Sequence, residues 1–304
     1  MSIQLLKERG DCMFFFSKMQ ATGNDFIIIN NLENEFEYSF KLLSKYLCDR
    51  HFGVGADGIL ILDKGTNAEY KMRIFNQDGS EAEMCGNGIR CFAKYLYEKK
   101  LVESEEFEIE TLAGIKNVKL KVEGKTVTFV EVSMGKPTLE FSKIPVYYEN
   151  NNEDIYQEEK AESTYDEVIE DVKGIKIDDF TVYPISIGNP HCVCFVDNVD
   201  NIDIEKSGKL IENYKYFPNK MNVEFVEIKN ENSIKVRVWE RGVGETLACG
   251  TGACAASVIS NIYKSTNSEV SVELKGGTLK IDYNNENIYL KGTAEFVFEG
   301  EIEI

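Results

Sequence analysis

Leu247-Ala248-Cys249-Gly250-Thr251-Gly252 repeats a pattern met 164 positions earlier (249 − 85), Glu83-Met84-Cys85-Gly86-Asn87-Gly88. Each is a Cys-Gly-polar-Gly turn followed by an apolar run. After Cys85, residues Ile89, Phe92, Ala93 and Leu96 recur at i, i+3, i+4 and i+7, which predicts a helix with one apolar face. After Cys249, Ala253 to Ile262 is small or apolar nearly all round, which predicts a buried helix. Both cysteines therefore stand where a helix begins.

Outward from these turns the chain keeps repeating itself. Gly23 and Gly188, each in a Gly-Asn turn, lie 165 apart (188 − 23). Asn76-Gln77 and Glu240-Arg241, each after a strand and before a thiol turn, lie 164 apart (240 − 76). Landmarks in one order at a nearly constant offset indicate a duplicated domain, with a period far longer than any solenoid repeat. In the first copy, Phe14 to Ile29 reads as two strands broken at Thr22-Gly23-Asn24-Asp25, Phe40 to His51 as a helix, and Ile59 to Leu62 and Tyr70 to Phe75 as strands. Residues 106–134 read as a β-meander turning at Gly114 and Gly124. In the second copy, strands are expected at Thr181 to Ile187, Cys192 to Val196, Val223 to Ile228 and Ile234 to Trp239, a helix at Ile204 to Tyr214, and closing strands from Val270 to Phe298. Gly53-Val54-Gly55-Ala56-Asp57-Gly58 fits G-x-G-x-x-G, but it joins a helix to a strand. A dinucleotide site needs the reverse order, strand then helix.

The expected division is 13–130, with the last strand at about 294–304 returning to it, and 131–293. Residues 1–12 form an extension, and an acidic insertion lies at about 149–171. A hinge near Val130 to Pro137 would join the halves. The fold class is α/β (α+β).

The chain has 304 residues, 34 basic against 52 acidic, for a net charge of -18. Nucleic acid and anionic membrane are excluded as partners, because phosphate neutralisation needs clustered Lys and Arg. Residues 149–171 hold ten acidic residues and one Lys, half of the net charge, and read as a solvated insertion. No run approaches the ~18–20 apolar residues of a membrane span, and Met13 to Phe16 is too short for a secretory core. Eight cysteines in a chain of this length need not be staples, so a cytoplasmic protein with reduced thiols is expected. Metal binding is not expected: Cys192-x-Cys194 is too tight and Cys85/Cys91 too wide for a structural zinc pair, and His51 and His191 are the only histidines.

A thiolate at a helix N-terminus is stabilised by unpaired N–H groups and the helix dipole. The flanking glycines let those N–H groups approach an anion such as a carboxylate. Two half-domains facing each other would place an α-amino acid between two sulfurs. One thiolate would take the Cα proton while the opposite thiol delivered another, giving inversion. Contacts of about 3–3.5 Å on each side put the sulfurs roughly 7 Å apart. No cofactor and no metal is required.

Thr22-Gly23-Asn24-Asp25-Phe26, Asn76, Glu83 to Cys91, Gly188-Asn189-Pro190-His191, Asn222-Val223-Glu224-Phe225 and Trp239 to Gly252 resemble the diaminopimelate epimerases, from about Met13 to the C-terminus. The resemblance implies two pseudo-symmetric domains, each a mostly antiparallel sheet wrapped around a central helix. It implies cofactor-independent interconversion of LL- and meso-diaminopimelate in lysine and peptidoglycan precursor biosynthesis, and a homodimer. By the same resemblance Cys85 and Cys249 are the acid–base pair, and Gly86, Asn87, Gly250 and Thr251 hold the reacting carboxylate by backbone N–H. Asn24, Asn76, Asn189, Asn222, Glu240 and Arg241 hold the substrate's amino and carboxyl groups, while His191 and Glu240 tune the thiols. Many members carry Gln where this chain has Gly58, so a substrate contact made by that Gln is missing or replaced.

Three other readings compete. A two-thiol racemase for histidine, proline or lanthionine would keep both cysteines and change the distal contacts. A thiol hydrolase using Cys85 and His191 would leave Cys249 unexplained. A non-catalytic amino-acid-binding protein would need neither thiol.

Overall fold

A computed structural model describes residues 13–33, 39–147 and 174–303. The 1–12 extension, with Cys12, and the acidic 149–171 stretch lie outside the described residues. The chain divides into two compact units, one running to Ser133 and including Leu290–Ile304, the other Met134–Tyr289.

The first unit contains β1 (Met13–Ala21), β2 (Asn24–Asn30), α1 (Phe40–Leu47), β3 (Gly58–Lys64), β4 (Tyr70–Asn76), β5 (Glu81–Ala82), α2 (Gly86–Glu98), β6 (Glu106–Thr111), β7 (Gly114–Glu123) and β8 (Thr126–Gly135). β1 pairs antiparallel with β2 and with the C-terminal strand Glu295–Glu303. β2 runs parallel to β3, and β4 parallel to β6; the pairs β3–β4, β4–β5, β6–β7 and β7–β8 are antiparallel. The sheet wraps α2, which packs on β1, β2, β4 and β7.

Strand parity explains the layering. Successive side chains point to opposite faces. Ile27, Ile29, Ile59 and Ile61 join Leu43 and Leu47 of α1 in one core. The alternate residues Phe26 and Leu60 meet α2 at Gly88. Covered on both faces, β2 and β3 are near-continuous apolar runs, as parallel-paired strands are. Each buried Ile or Leu contributes about 1.5–3 kcal/mol.

Two sequence expectations shift here. The helix expected over Phe40–His51 ends at Leu47, because the Asp49 carboxylate takes the His51 and Phe52 N–H groups, each at 2.8 Å, and turns the chain. The α2 helix is buried all round through Leu96 rather than on one face. Its polar residues Arg90 and Lys94 are buried with partners: Arg90 donates to Gly86 O, Thr22 Oγ1 and Thr293 O, Lys94 to Val127 O and Glu295.

The second unit contains β9 (Ile175–Ile177), β10 (Phe180–Ser186), β11 (Pro190–Phe195), α3 (Ile204–Glu212), β12 (Asn222–Asn230), β13 (Ser233–Glu240), β14 (Gly244–Thr246), α4 (Gly250–Lys264), β15 (Glu269–Leu274) and β16 (Gly277–Tyr283), and the chain passes back to the first unit within β17 (Ile288–Gly292). Its pairings copy the first unit. The pair β11–β12 is parallel like β2–β3, and β13–β15 like β4–β6; β10–β11, β12–β13, β13–β14 and β15–β16 are antiparallel. β10 takes its outer partner from β9, whereas β1 takes it from the C-terminal strand. The central helix α4 packs on β10, β11, β12, β13, β15 and β16. Parity again sorts the strands. Cys192, Cys194, Val223 and Phe225 face the core containing Ile204 and Ile211 of α3, which turns His191, Asn222 and Glu224 toward the α4 side.

Candidate active site

In the first unit Cys85 is the N-cap of α2, with extended backbone, and its sulfur accepts the Gly88 N–H at 3.4 Å. The sulfur also lies 3.7 Å from Asn24 Oδ1, and Asn87 Nδ2 donates to the same oxygen at 3.2 Å. Asn24 is held by its own turn. Thr22 and Gly23 have φ of 54° and 81°, the two positive values a two-residue hairpin loop demands. Thr22 is an unusual residue there, and its hydroxyl is bonded by the buried Arg90 at 2.7 Å.

Four charged side chains anchor this turn from outside. Arg50 forks onto Asp25 at 2.8 and 3.2 Å and reaches Asp57 at 2.8 Å, while Lys18 pairs with Asp25 at 2.6 Å. Asp57 in turn accepts Asn24 Nδ2 at 2.7 Å. Burial pushes the Asp25 carboxyl up, but Arg50 and Lys18 outweigh it and hold it at about 2. None of Lys18, Arg50 and Asp57 was singled out from the sequence. Their only signal is that two acids and two bases flank the Gly-Asn and glycine-rich turns.

Asn76 ends β4 and donates to Ser80 Oγ at 2.9 Å within its own turn, with no hydrogen bond to the Cys85 group among those identified. Gly58, opposite Asn76 in the β3–β4 pair, has no room for a side chain: a Cβ there would lie 2.8 Å from the Phe75 carbonyl oxygen. In this chain position 58 is a close strand contact.

In the second unit Cys249 caps α4 in the same way, its sulfur accepting the Gly252 N–H at 3.4 Å. Thr251 Oγ1 lies 3.4 Å from that sulfur, and Asn189 Nδ2 donates to Thr251 Oγ1 at 3.4 Å. Asn189 Oδ1 meets His191 Nε2 at 3.0 Å, and His191 Nδ1 meets Glu224 Oε1 at 2.7 Å, both residues fully buried. Glu240 ends β13 and accepts the Thr246 hydroxyl at 2.6 Å. Burial raises the Glu240 carboxyl, the Thr246 bond and His191 opposing it. Burial, then the charges of Glu240 and Glu224, push the Cys249 thiol well above the usual thiol range.

Asn222 has both ends of its amide engaged. It donates to Pro190 O at 2.9 Å and accepts the Arg241 N–H at 3.0 Å, tying β11 to the Glu240-Arg241 turn. The Arg241 side chain is exposed and donates to Asn219 O at 3.1 Å. Gly86 and Gly250 open α2 and α4 beside their cysteines. The structure thus groups Cys85, Asn24, Gly86 and Asn87 in one unit, and Cys249, Gly250, Thr251, Asn189, His191 and Glu240 in the other. Glu224 was missed as a site residue. Its signal was a carboxylate inside the otherwise apolar Val223-Glu224-Phe225-Val226, at the parity of Asn222.

Each thiol takes one backbone N–H at the start of its helix, a setting that suits an acid or a base. The sequence profile of one family, Diaminopimelate epimerase, matches residues 16–140 and 183–297. The unmatched stretch between them contains the acidic segment. A diaminopimelate epimerase of Methanococcus maripaludis (strain S2) is 44% identical over 291 residues, covering 95% of this chain and 99% of that relative. One of Acetivibrio thermocellus is 42% identical over 95% of this chain and 98% of its own length. Among solved structures, a Bacillus anthracis phenazine biosynthesis protein of the PhzF family superposes with TM-score 0.63 at 19% identity, covering 96% of this chain and all of that one. A hydroxyproline epimerase from Agrobacterium vitis superposes with TM-score 0.61 at 12% identity, covering 96% and 93%. These two likenesses are of fold. The duplicated sheet-around-helix units, the two cysteine-capped helices and the relatives spanning nearly the whole chain give one conclusion: the chain belongs to the diaminopimelate epimerase family.

Proposed function

We propose that this protein interconverts LL- and meso-diaminopimelate by a two-base mechanism in which Cys85 and Cys249 act on opposite faces of the substrate Cα. The observation that carries the reading is the matched pair of cysteine caps. Each sulfur accepts the N–H three residues on at 3.4 Å, at the start of the central helix of its own unit. Substrate carboxylate oxygens would take amide N–H groups of Gly86, Asn87, Gly250 and Thr251. Cys249, pushed up by burial and its carboxylate neighbours, enters protonated. Cys85 as thiolate takes the Cα proton, and the C–H pair delocalises onto the carboxylate. Cys249 then gives its proton to the other face. The thiols have exchanged protonation states, and the reverse reaction starts from the exchanged pair.

Asn24, held by Asp57, and Asn189, held by His191, would bind the reacting amino-acid head. Asn76, Asn222, Glu240 and Arg241 would serve the rest of the substrate, with Arg forking onto the distal carboxylate and Glu pairing with an ammonium. His191 and Glu240 would tune the thiols. The Asn-Glu-Arg set favours a substrate with a second amino-acid head over histidine or proline. Two working thiols also call for a reducing compartment such as the cytoplasm. No helix among the described residues is long and apolar enough to cross a membrane.

The test incubates the reduced protein in deuterated water with LL-diaminopimelate, lanthionine, histidine and proline in parallel, following Cα deuterium and stereochemistry. Exchange and inversion with diaminopimelate are expected, and no exchange would sink the proposal. The resemblance also carries a homodimer of the 34.5 kDa chain; light scattering that returned the single-chain mass would reject it.

A further inference from the structure

Glu224 is a fully buried carboxylate on β12 that the two-thiol chemistry does not use directly. Its Oε1 lies 2.7 Å from His191 Nδ1, while its Oε2 is buried with no hydrogen-bond partner among the described residues. It also presses on the start of α4: a Cβ on Gly252 would come within 2.7 Å of Oε1. A buried charge is retained against a large desolvation cost only with a partner, and here that partner is the His191 ring. From the ring a line of contacts runs to the sulfur, through Asn189 at 3.0 Å, Thr251 at 3.4 Å and Cys249 at 3.4 Å.

We infer that Glu224 is a positioning residue for the Cys249 side of the reaction: it keeps a proton on His191 Nδ1, so that Nε2 holds the Asn189 amide and, through it, aims the Thr251 hydroxyl at the Cys249 sulfur. An Nδ1 facing a carboxylate oxygen at 2.7 Å carries or shares a proton, whichever way the Asn189 amide is turned. A ring so fixed keeps one orientation, as a carboxylate behind a working histidine does elsewhere. The titratable groups around Glu224 on the α4 side are His191 on β11, Glu240 on β13 and Cys249 at the cap of α4, while Cys192 feels its charge from the opposite face of β11. Only His191 among them can supply a positive charge. The close approach also gives Gly252 its reason. Any side chain at that position would drive the carboxylate off the ring.

The catalytic half of this inference rests on the proposed epimerase reading, so the experiment has one readout that does not. The chain has only two histidines, His51 and His191, so imidazole nitrogen NMR of the substrate-free protein gives two resolvable rings. The wild type should show one ring with an Nδ1–H proton at low field, the mark of a charge-assisted bond. In Glu224→Gln that proton should move upfield while the fold is kept. Gly252→Ala, which leaves the charge but displaces it, should do the same and covers the case where Glu224→Gln does not fold. With diaminopimelate as substrate, Glu224→Gln should lower kcat about 10-fold or more with KM changed less than about 3-fold, the range of a misaligned acid–base group. An unchanged His191 spectrum in both variants overturns the inference, whatever the activity. A lost Nδ1 signal with kcat intact overturns the positioning role. An inactive wild type with the expected spectra would refute the epimerase reading and the catalytic half with it, leaving the Glu224–His191 bond established.

Discussion

Glu212 offers a stringent check on how the second unit holds the Glu240-Arg241 turn, proposed above to bind substrate. It ends α3 and is 4% exposed. Its Oε2 accepts the Trp239 indole N–H at 2.8 Å, and its Oε1 accepts the Gly242 N–H at 2.9 Å and Lys220 at 3.4 Å. One carboxylate therefore pins both sides of Glu240-Arg241. Glu212→Ala removes all three bonds. The indole N–H, half-buried, loses a charged acceptor at a cost of about 1.5 kcal/mol, and the exposed Gly242 N–H is rehydrated and costs nearer 0.5. The missing methylene adds about 1 kcal/mol of lost packing, for a total of about 3 kcal/mol. Urea unfolding at pH 7, read at unchanged m, measures it. Burial pushes the Glu212 carboxyl up, but Trp239, Gly242 and Lys220 outweigh it and leave it lowered. A lowered folded value means stability present above the unfolded carboxyl range of about 4.3 and lost as pH falls through the folded value. The gap between variant and wild type should therefore narrow in acid. Because Asn222 still holds the Arg241 N–H, the turn loosens without being lost, so kcat/KM should fall while the protein stays folded. A cost below about 0.5 kcal/mol at pH 7, or an unaltered kcat/KM, would refute this reasoning.

Three further outcomes are expected. Gly58→Gln should destabilise by about 1–3 kcal/mol and leave KM no lower, since its Cβ meets the Phe75 carbonyl; a stable variant with improved KM would show the site has room. Arg50→Met should cost less than about 1 kcal/mol, its side chain being 53% exposed, yet cut turnover about 10-fold by freeing Asp57 and Asn24; an unchanged rate in the exchange assay would remove this network from the site. Burial raises the thiols of Cys48 and Cys91 to about 12 and those of Cys192 and Cys249 well above the usual range. Their contribution is whole below the unfolded thiol value and is lost as pH rises toward the folded ones. Stability should therefore drop above about pH 9 by up to about 1.4 kcal/mol per pH unit for each thiol. Cys48→Ala should flatten that slope in urea titrations, and an equal slope would contradict it.

What the sequence made legible was what recurs locally. A Cys-Gly-polar-Gly turn before an apolar run announces a capped helix, and two of them at a fixed offset announce the duplication. Thr22-Gly23 between two β-rich runs announces the hairpin. Contacts between distant segments were not legible. The Arg50–Asp25–Asp57–Lys18 group joins a hairpin to a loop some 30 residues on, and no periodicity links them. Arg90 and Lys94 fall outside the apolar positions Ile89, Phe92, Ala93 and Leu96, and nothing local says that Thr293 and Glu295, some 200 residues later, will cover them. Glu224 sat in an apolar strand, where only the parity of β12 decides between the α3 core and the α4 side. The two-residue β5 and three-residue β14 are too short to carry a pattern at all.

The central claim is that two thiols share one Cα. Its most direct test is the rate of inversion of LL-diaminopimelate by Cys85→Ala and by Cys249→Ala, each measured reduced and beside the wild type. Each single variant should abolish inversion, since each removes the only acid or base on its face. Full inversion by either variant would contradict the two-base mechanism outright.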